Sequence, residues 1–293
     1  MRKQQLDRLN TFFLSAITLG VVALVATFLI YILAKGAPAL SWEFLTSVSK
    51  AFEEGGGIGI QLFNSLYIMI LTLIICIPIS LGAGIYLAEY AKDTRTTRFF
   101  RMAIEVMSSL PSIVIGLFGY LLFVVKFDFG FSVIAGAFSL SLLNLSFLTR
   151  MVEDAIRSVD EAQRDGGLAL GLGRFETIMK IVVPSAIPGI VTGVVLVAGR
   201  VFGEAAALIF SAGQSAPALD FTVWNPMNPA SPLNIFRPAE TLAVHIWKLN
   251  SEGLMPDGPL VAAGAGAVLV IIILLFNTLA KVLGKLLEKR LSR

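Results

Sequence analysis

Long runs without a charged residue alternate with short, strongly polar stretches along this chain. Charge-free windows cover residues 9–34, 55–88, 106–125, 129–149 and 258–280, and a sixth, 181–219, is interrupted only by Arg200 and Glu204. A helix needs about 20 apolar residues to cross the hydrocarbon core of a bilayer. Each window is long enough for one crossing and none comfortably holds two. The pattern therefore predicts six membrane-spanning helices in an all-α fold. A transmembrane β-barrel would alternate polar and apolar residues, and these runs do not.

Two polar stretches carry further pattern. Within 150–180, Ala155, Ile156, Val159, Ala162, Gly166 and Ala169 recur at helical spacing with charges between them, which predicts an amphipathic helix of mixed charge. Gly171-Leu172-Gly173 breaks it, since glycine readily takes the left-handed backbone of a helix stop. A second short helix is expected from about Phe175, with Pro184 ahead of the next span. Taken alone, this unit reads either as a solvated surface element or as a knob for a soluble partner. The other stretch, 212–257, holds Pro217, Pro226, Pro229, Pro232, Pro238 and Pro256 with Trp224 and Trp247. Such content favours an irregular, ordered loop, either a cap at the membrane surface or a docking surface for an outer partner. Thr241 to Trp247 can form a short helix in it. His245, the only histidine, reads as structural, because metal sites need several ligands.

Composition supports the membrane reading. The chain is 56% hydrophobic and 15% charged, with a mean hydropathy of +0.82, whereas soluble domains carry about 25% charged residues. An ordinary soluble enzyme is excluded. Most of the 23 Lys and Arg fall before residue 9, in 92–101, in 150–180 and after 280. Basic excess marks the cytoplasmic side, so both termini are expected there, and the charge needs no nucleic acid to explain it. The first window exceeds the roughly 7–15 apolar residues of a signal peptide and reads as a retained span. Cys76, alone and mid-span, excludes an internal disulfide or a cysteine metal cluster.

Arg200 and Glu204 stand four apart, which on a continuous helix places them on one face near mid-membrane. A charge at a helix centre costs about 2.5–3.5 kcal/mol on insertion scales, so such residues face a cavity or a partner. Arginine offers planar donors suited to phosphate oxygens. Two readings stay open: an anion path, or an ion pair that staples helices. Arg before Glu is the weaker order within one helix. Glu204 beside an anion path either neutralises Arg200 while the path is empty or is protonated and donates a hydrogen bond. Gly189, Gly193, Gly199 and Gly203 form two Gly-xxx-Gly steps that admit close helix approach. The chain has no phosphate-loop motif, and Gly264-Ala265-Gly266 reads as a packing feature.

Permease subunits of ABC importers carry Glu-Ala-Ala, three residues, Gly, nine residues, Ile, one residue and Leu-Pro. Asp165-Gly166-Gly167, Gly171, Ile181 and Val183-Pro184 match that spacing. Asp stands for Glu, two glycines for two alanines, and Val for Leu. Each glycine costs about 1 kcal/mol against alanine in a helix interior. The segments Ser109–Gly119, Ala169–Gly171, Pro184–Gly193 and Arg200–Phe210 resemble the PstA permease family of phosphate importers, strongly over 62–210 and in topology elsewhere. That family usually has Gly-Glu-Thr-Ala-Pro-Leu where Gly203-Glu204-Ala205-Ala206-Ala207-Leu208 stand here.

The resemblance implies a type I ABC importer permease in the bacterial cytoplasmic membrane. Residues 1–61 would form the N-terminal tail, first helix and outer loop, 62–287 a five-helix permease core, and 288–293 a cytoplasmic tail. It implies a second related permease (PstC-like), an ATPase dimer (PstB-like) that binds the ATP and Mg, and an extracytoplasmic phosphate-binding protein (PstS-like). Asp165, Gly166, Gly167 and Gly171 would couple to the ATPase, and Arg200 and Glu204 would line the path of inorganic phosphate. This chain itself would hold no cofactor or metal and hydrolyse nothing. Competing functions are a permease for another oxyanion and, from a different class, a self-sufficient secondary carrier or membrane scaffold. A carrier would be expected to show an internal repeat, and none is convincing here.

Overall fold

The computed structural model describes residues 2–50, 55–253 and 256–291, and among them every regular element is helical. In chain order these are α1 (Arg2–Gly36), α2 (Trp42–Thr46), α3 (Gly59–Ile85), α4 (Arg95–Ser109), α5 (Ser112–Gly119), α6 (Val133–Arg157), α7 (Glu161–Ala169), α8 (Arg174–Thr177), α9 (Val183–Phe202), α10 (Ala206–Ser211), α11 (Leu242–Glu252) and α12 (Gly258–Leu291). Helix α12 runs through most of the expected C-terminal tail, and residues 292–293 lie outside the described residues.

Five continuous helical stretches are long and apolar enough to cross a bilayer: Asn10–Ala39, Gly59–Tyr90, Val133–Arg157, Arg174–Phe202 and Gly258–Leu287. The sixth expected span is bent. Arg95–Ser109 and Ser112–Lys126 meet at 99°, because Pro111 lacks an N–H and pushes the preceding Leu110 into extended backbone (φ −65°, ψ 138°). The window 106–125 thus straddles a corner. Thr94 caps α4 by accepting the Thr97 N–H at 3.2 Å. The helix carries Arg95, Arg98 and Arg101 before it reaches the apolar run.

The charged ends define two faces. The ends of α3 and α6, the turn after α7 and the end of α12 lie together on one basic face. Residues 212–253 cover the opposite one. The best-packed pair is α3 with α6. Small and polar side chains let their backbones approach: Gly84 abuts Val152, the Ser80 hydroxyl donates to Leu145 O at 3.2 Å, and the Cys76 thiol sits 3.5 Å from Ser141 O. The two glycine steps of α9 serve two neighbours. Gly189 and Gly193 face Ala155 and Met151 of α6, whereas Gly199 and Gly203 face Phe276 and Ile273 of α12. Helix α1 packs on α12 near its far end, where Gly36 meets Ala263 and Ala267, and leaves Phe12, Ile17, Leu24 and Phe28 exposed.

Helix α5 stands against α10 with almost no gap, since a Cβ at Gly116 would lie 2.7 Å from the Ala207 Cα. Backbone cannot yield there as a side chain would. Gly116→Val is expected to destabilise the chain by about 1–3 kcal/mol, the range for overpacking. Gly82→Ala, with nothing within 4 Å of the new Cβ, is expected to be neutral or to stabilise by up to about 1 kcal/mol. Thermal melting of the purified, detergent-solubilised chain compares the two.

Candidate functional site: a docking turn and an interrupted span

The sequence-predicted amphipathic helix is divided in two. Helix α6 ends at Arg157, and α7 starts after Asp160, whose carboxylate accepts the Ala162 N–H at 3.0 Å. The division follows from capping, since an aspartate at the first position satisfies an N–H that the new helix leaves free. Helix α7 stops where expected. Gly171 has φ +82°, its N–H donates to Leu168 O at 3.0 Å, and the Leu172 N–H donates to Gly167 O at 3.2 Å. These paired bonds form a Schellman stop, which selects glycine at the left-handed position.

The second short helix is not separate from the span after it. From Arg174 the chain runs helically to Phe202. Pro184 and Pro188 lack the N–H of a regular turn, and a widened π-type turn over Ile178–Val182 precedes them. The four residues of the matched motif fall in one segment but not in one environment. Asp165 and Gly166 are exposed, and a Cβ on Gly166 would meet nothing within 4 Å. Gly167 is buried, with the methyl of Thr177 2.7 Å from where its Cβ would stand. Leu170, 82% exposed, and Phe175 project beside the turn.

Arginines that the sequence reading left unassigned moor this turn. Arg164 pairs with Glu89 at 3.0 Å and donates to the carbonyls of Ile156, in the last turn of α6, and Val159, just beyond it. Arg174 donates to Glu89 O and lies 5.2 Å from the centre of the Tyr90 ring. Nearby, Glu153 accepts from Arg101 and Arg157, each at 3.0 Å, and Arg101 also donates to Leu87 O at 3.0 Å. A carbonyl left by a helix end is thus met by a guanidinium in each case. Arg164 directly precedes the matched motif, but no spacing rule marked Glu89 as its partner.

Arg200 and Glu204 do not share a helix face. Helix α9 ends at Phe202, Gly203 closes it through its N–H to Gly199 O at 3.3 Å, and Glu204 falls in the gap before α10. Its carboxylate accepts the Ala207 N–H at 3.4 Å, supplying the acceptor that the start of α10 needs. Arg200 lies exposed over Phe147, 5.5 Å from the ring centre. Among the described residues no ion pair joins Arg200 to Glu204. Spacing alone could not foresee the break, because Gly-Glu-Ala continues an apolar helical pattern.

On the opposite face, the expected short helix is α11, capped by Thr241. His245 Nδ1 lies 3.2 Å from the buried Glu240 carboxylate, to which the Gln61 amide also donates at 3.1 Å. Arg237 is buried, donating to Asn64 Oδ1 at 2.8 Å and Pro232 O at 3.1 Å, and burial lowers its guanidinium to about 10. The histidine is therefore part of the loop's packing. Among the described residues no three His, Cys, Asp or Glu side chains gather as a metal site.

The two adjacent glycines of the turn should respond oppositely to alanine. Gly166→Ala gains helix propensity without a clash, and Gly167→Ala forces α7 away from Thr177 and Ile181. Limited proteolysis at the turn is expected to be unchanged or slower in the first variant and faster in the second.

The profile of the binding-protein-dependent transport system inner membrane component family matches residues 80–293. The chain is 48% identical over 292 residues to the probable ABC transporter permease protein YqgI of Bacillus subtilis, covering 100% of this chain and 99% of that one. It is 37% identical over 204 residues to the phosphate transport system permease protein PstA of Haemophilus influenzae, covering 70% and 71% respectively. In fold it is similar to a chain of the inward-facing MetNI methionine ABC transporter, with TM-score 0.59, 17% identity and coverage of 76% and 93%. It is also similar to a chain of a bacterial alginate ABC transporter complex, with TM-score 0.63, 13% identity and coverage of 95% and 96%. The bent span, the glycine-stopped turn and these matches together place the chain in the binding-protein-dependent transport system inner membrane component family, as an ABC transporter permease.

Proposed function

We propose that this chain is the permease of an ATP-driven phosphate importer, with its basic face and both termini in the cytoplasm. The PstA relatives support phosphate, the motif spacing supports an importer permease, and the excess of Lys and Arg on one face supports the orientation. A second, related permease would complete the path. A cytoplasmic ATPase would bind ATP and Mg, and an extracytoplasmic phosphate-binding protein would meet the 212–257 loop.

The observation that carries the mechanism is the continuity of the helical stretch Arg174–Phe202. At about 1.5 Å per residue, Arg174 and Arg200 stand about 39 Å apart along one rod. The docking turn sits at one end, and Arg200 with the gap at Glu204 sits at the other. In this reading Asp165 and Gly166 meet the ATPase, Gly167 seats α7 on the rod, and Gly171 permits the stop. Tilting of the turn then moves Arg200 through this one helical stretch. Arg200 meets phosphate oxygens with its planar donors. Glu204 is held at the start of α10, off the arginine, so that its charge does not oppose the substrate there.

Two variant series test this. A Cβ at Gly171 would meet nothing within 4 Å, but Gly171→Val places a β-branched residue at positive φ. The chain is expected to insert normally while uptake is lost; unchanged uptake with the ATPase retained would contradict the coupling role. For the path, Arg200→Lys should lose part of ATP-driven phosphate uptake and Arg200→Ala nearly all of it. Arg200→Leu combined with Glu204→Leu should assemble yet stay inactive, and an active double variant would show that neither residue lines the path.

A further inference from the structure

A cavity of about 580 Å³ opens at the basic face between α6, α9 and α12, lined by Asp154, Ser158, Ser185, Thr192, Lys281 and Lys285 among others. Its height in the membrane follows from its walls. Lys281 is the first charged residue after the charge-free run 258–280, so the cavity lies where apolar helix gives way to charge, as expected at a headgroup boundary.

The charges in it are unusual for a surface groove. Lys281 and Lys285 are four apart on one helix, where like charges repel. Neither they nor the Asp154 carboxylate forms an ion pair or hydrogen bond among the described residues. Two positive groups and one negative group therefore share a cavity without neutralising one another. The nearby hydroxyls are already engaged, Ser185 on Gln163 at 2.8 Å and Thr192 on Pro188 O at 2.8 Å. The unsatisfied bonding capacity is ionic and of both signs. Beside the lysines, Leu275, Leu279, Val282 and Leu286 recur at steps of four, three and four and are all exposed, forming an apolar track along α12.

We propose that this cavity holds the headgroup of a phospholipid bearing both a phosphodiester and a primary ammonium, as in phosphatidylethanolamine. Lys281 and Lys285 take the phosphate, Asp154 takes the ammonium, and one acyl chain lies along the track. Basic pockets between helices at a membrane boundary commonly take phosphate headgroups. Asp154 selects the zwitterion over a purely anionic lipid. The proposal does not depend on what the permease transports.

Native mass spectrometry of the full chain, titrated in detergent with phosphatidylethanolamine, phosphatidylcholine or phosphatidylglycerol of matched acyl chains, reads the site directly. One phosphatidylethanolamine should be retained in preference to phosphatidylcholine, whose quaternary ammonium cannot donate to Asp154. Lys281→Gln and Lys285→Gln should each weaken it about fivefold, the factor for one lysine's attraction to an anionic headgroup. Asp154→Asn should remove the preference over phosphatidylglycerol. All three side chains are exposed, so folding should be unaffected. Equal retention of the three lipids, unchanged affinity in the variants, or displacement of the lipid by millimolar inorganic phosphate would each overturn the proposal. Loss of a co-purified ATPase from the lysine variants with lipid retention intact would do the same, assigning the cavity to a protein interface.

Discussion

Inside a bilayer every backbone N–H and C=O must find its partner within the protein, and the shape of this permease follows from how its interrupted helices meet that demand. Each departure from a straight rod has a nearby answer. The end of the Gly59–Tyr90 stretch, at Leu87 and Glu89, is met by Arg101 and Arg174, and the end of α6 by Arg164. At the opposite face, the first N–H groups of α6 donate to Arg237 O and Ile235 O, each at 2.9 Å, and Glu204 supports the start of α10. The arginines of the basic face thus do more than orient the chain. They fasten helix ends to one another, and Arg164 fastens the glycine-stopped turn to two helices at once.

That fastening gives the coupling reading its mechanical sense. A turn attached only through its flanking residues could tilt without moving the span. Here Arg164 ties α7 to the ends of α3 and α6, Gly167 lets α7 lie against Thr177 and Ile181, and the rod from Arg174 runs unbroken to Phe202. Pro184 and Pro188 lie within this stretch without ending it. Arg200 therefore occupies the distal end of an element whose proximal end carries the exposed turn.

Much of this was legible in the sequence. Charge-free windows located the spans because burying a charge in hydrocarbon is costly, and Gly171 was legible because a left-handed stop has few alternatives to glycine. The misreadings share a cause. A window that counts charges cannot see a missing N–H, so the Pro111 corner was read as a straight crossing. Helical spacing cannot see a cap, so Asp160 and Glu204 were read as helix interior although each starts a new helix. The Glu89–Arg164 pair spans distant parts of the chain, and local pattern contains no information about it.

The measurement that bears most directly on the linkage is the ratio of phosphate imported to ATP hydrolysed by the reconstituted complex carrying Arg164→Lys. Lysine keeps the charge opposite Glu89 but lacks the planar fork that also reaches the Ile156 and Val159 carbonyls. If Arg164 transmits motion from the turn to the ends of α3 and α6, hydrolysis should continue while uptake per ATP falls severalfold. A ratio equal to that of the unmodified complex would contradict it.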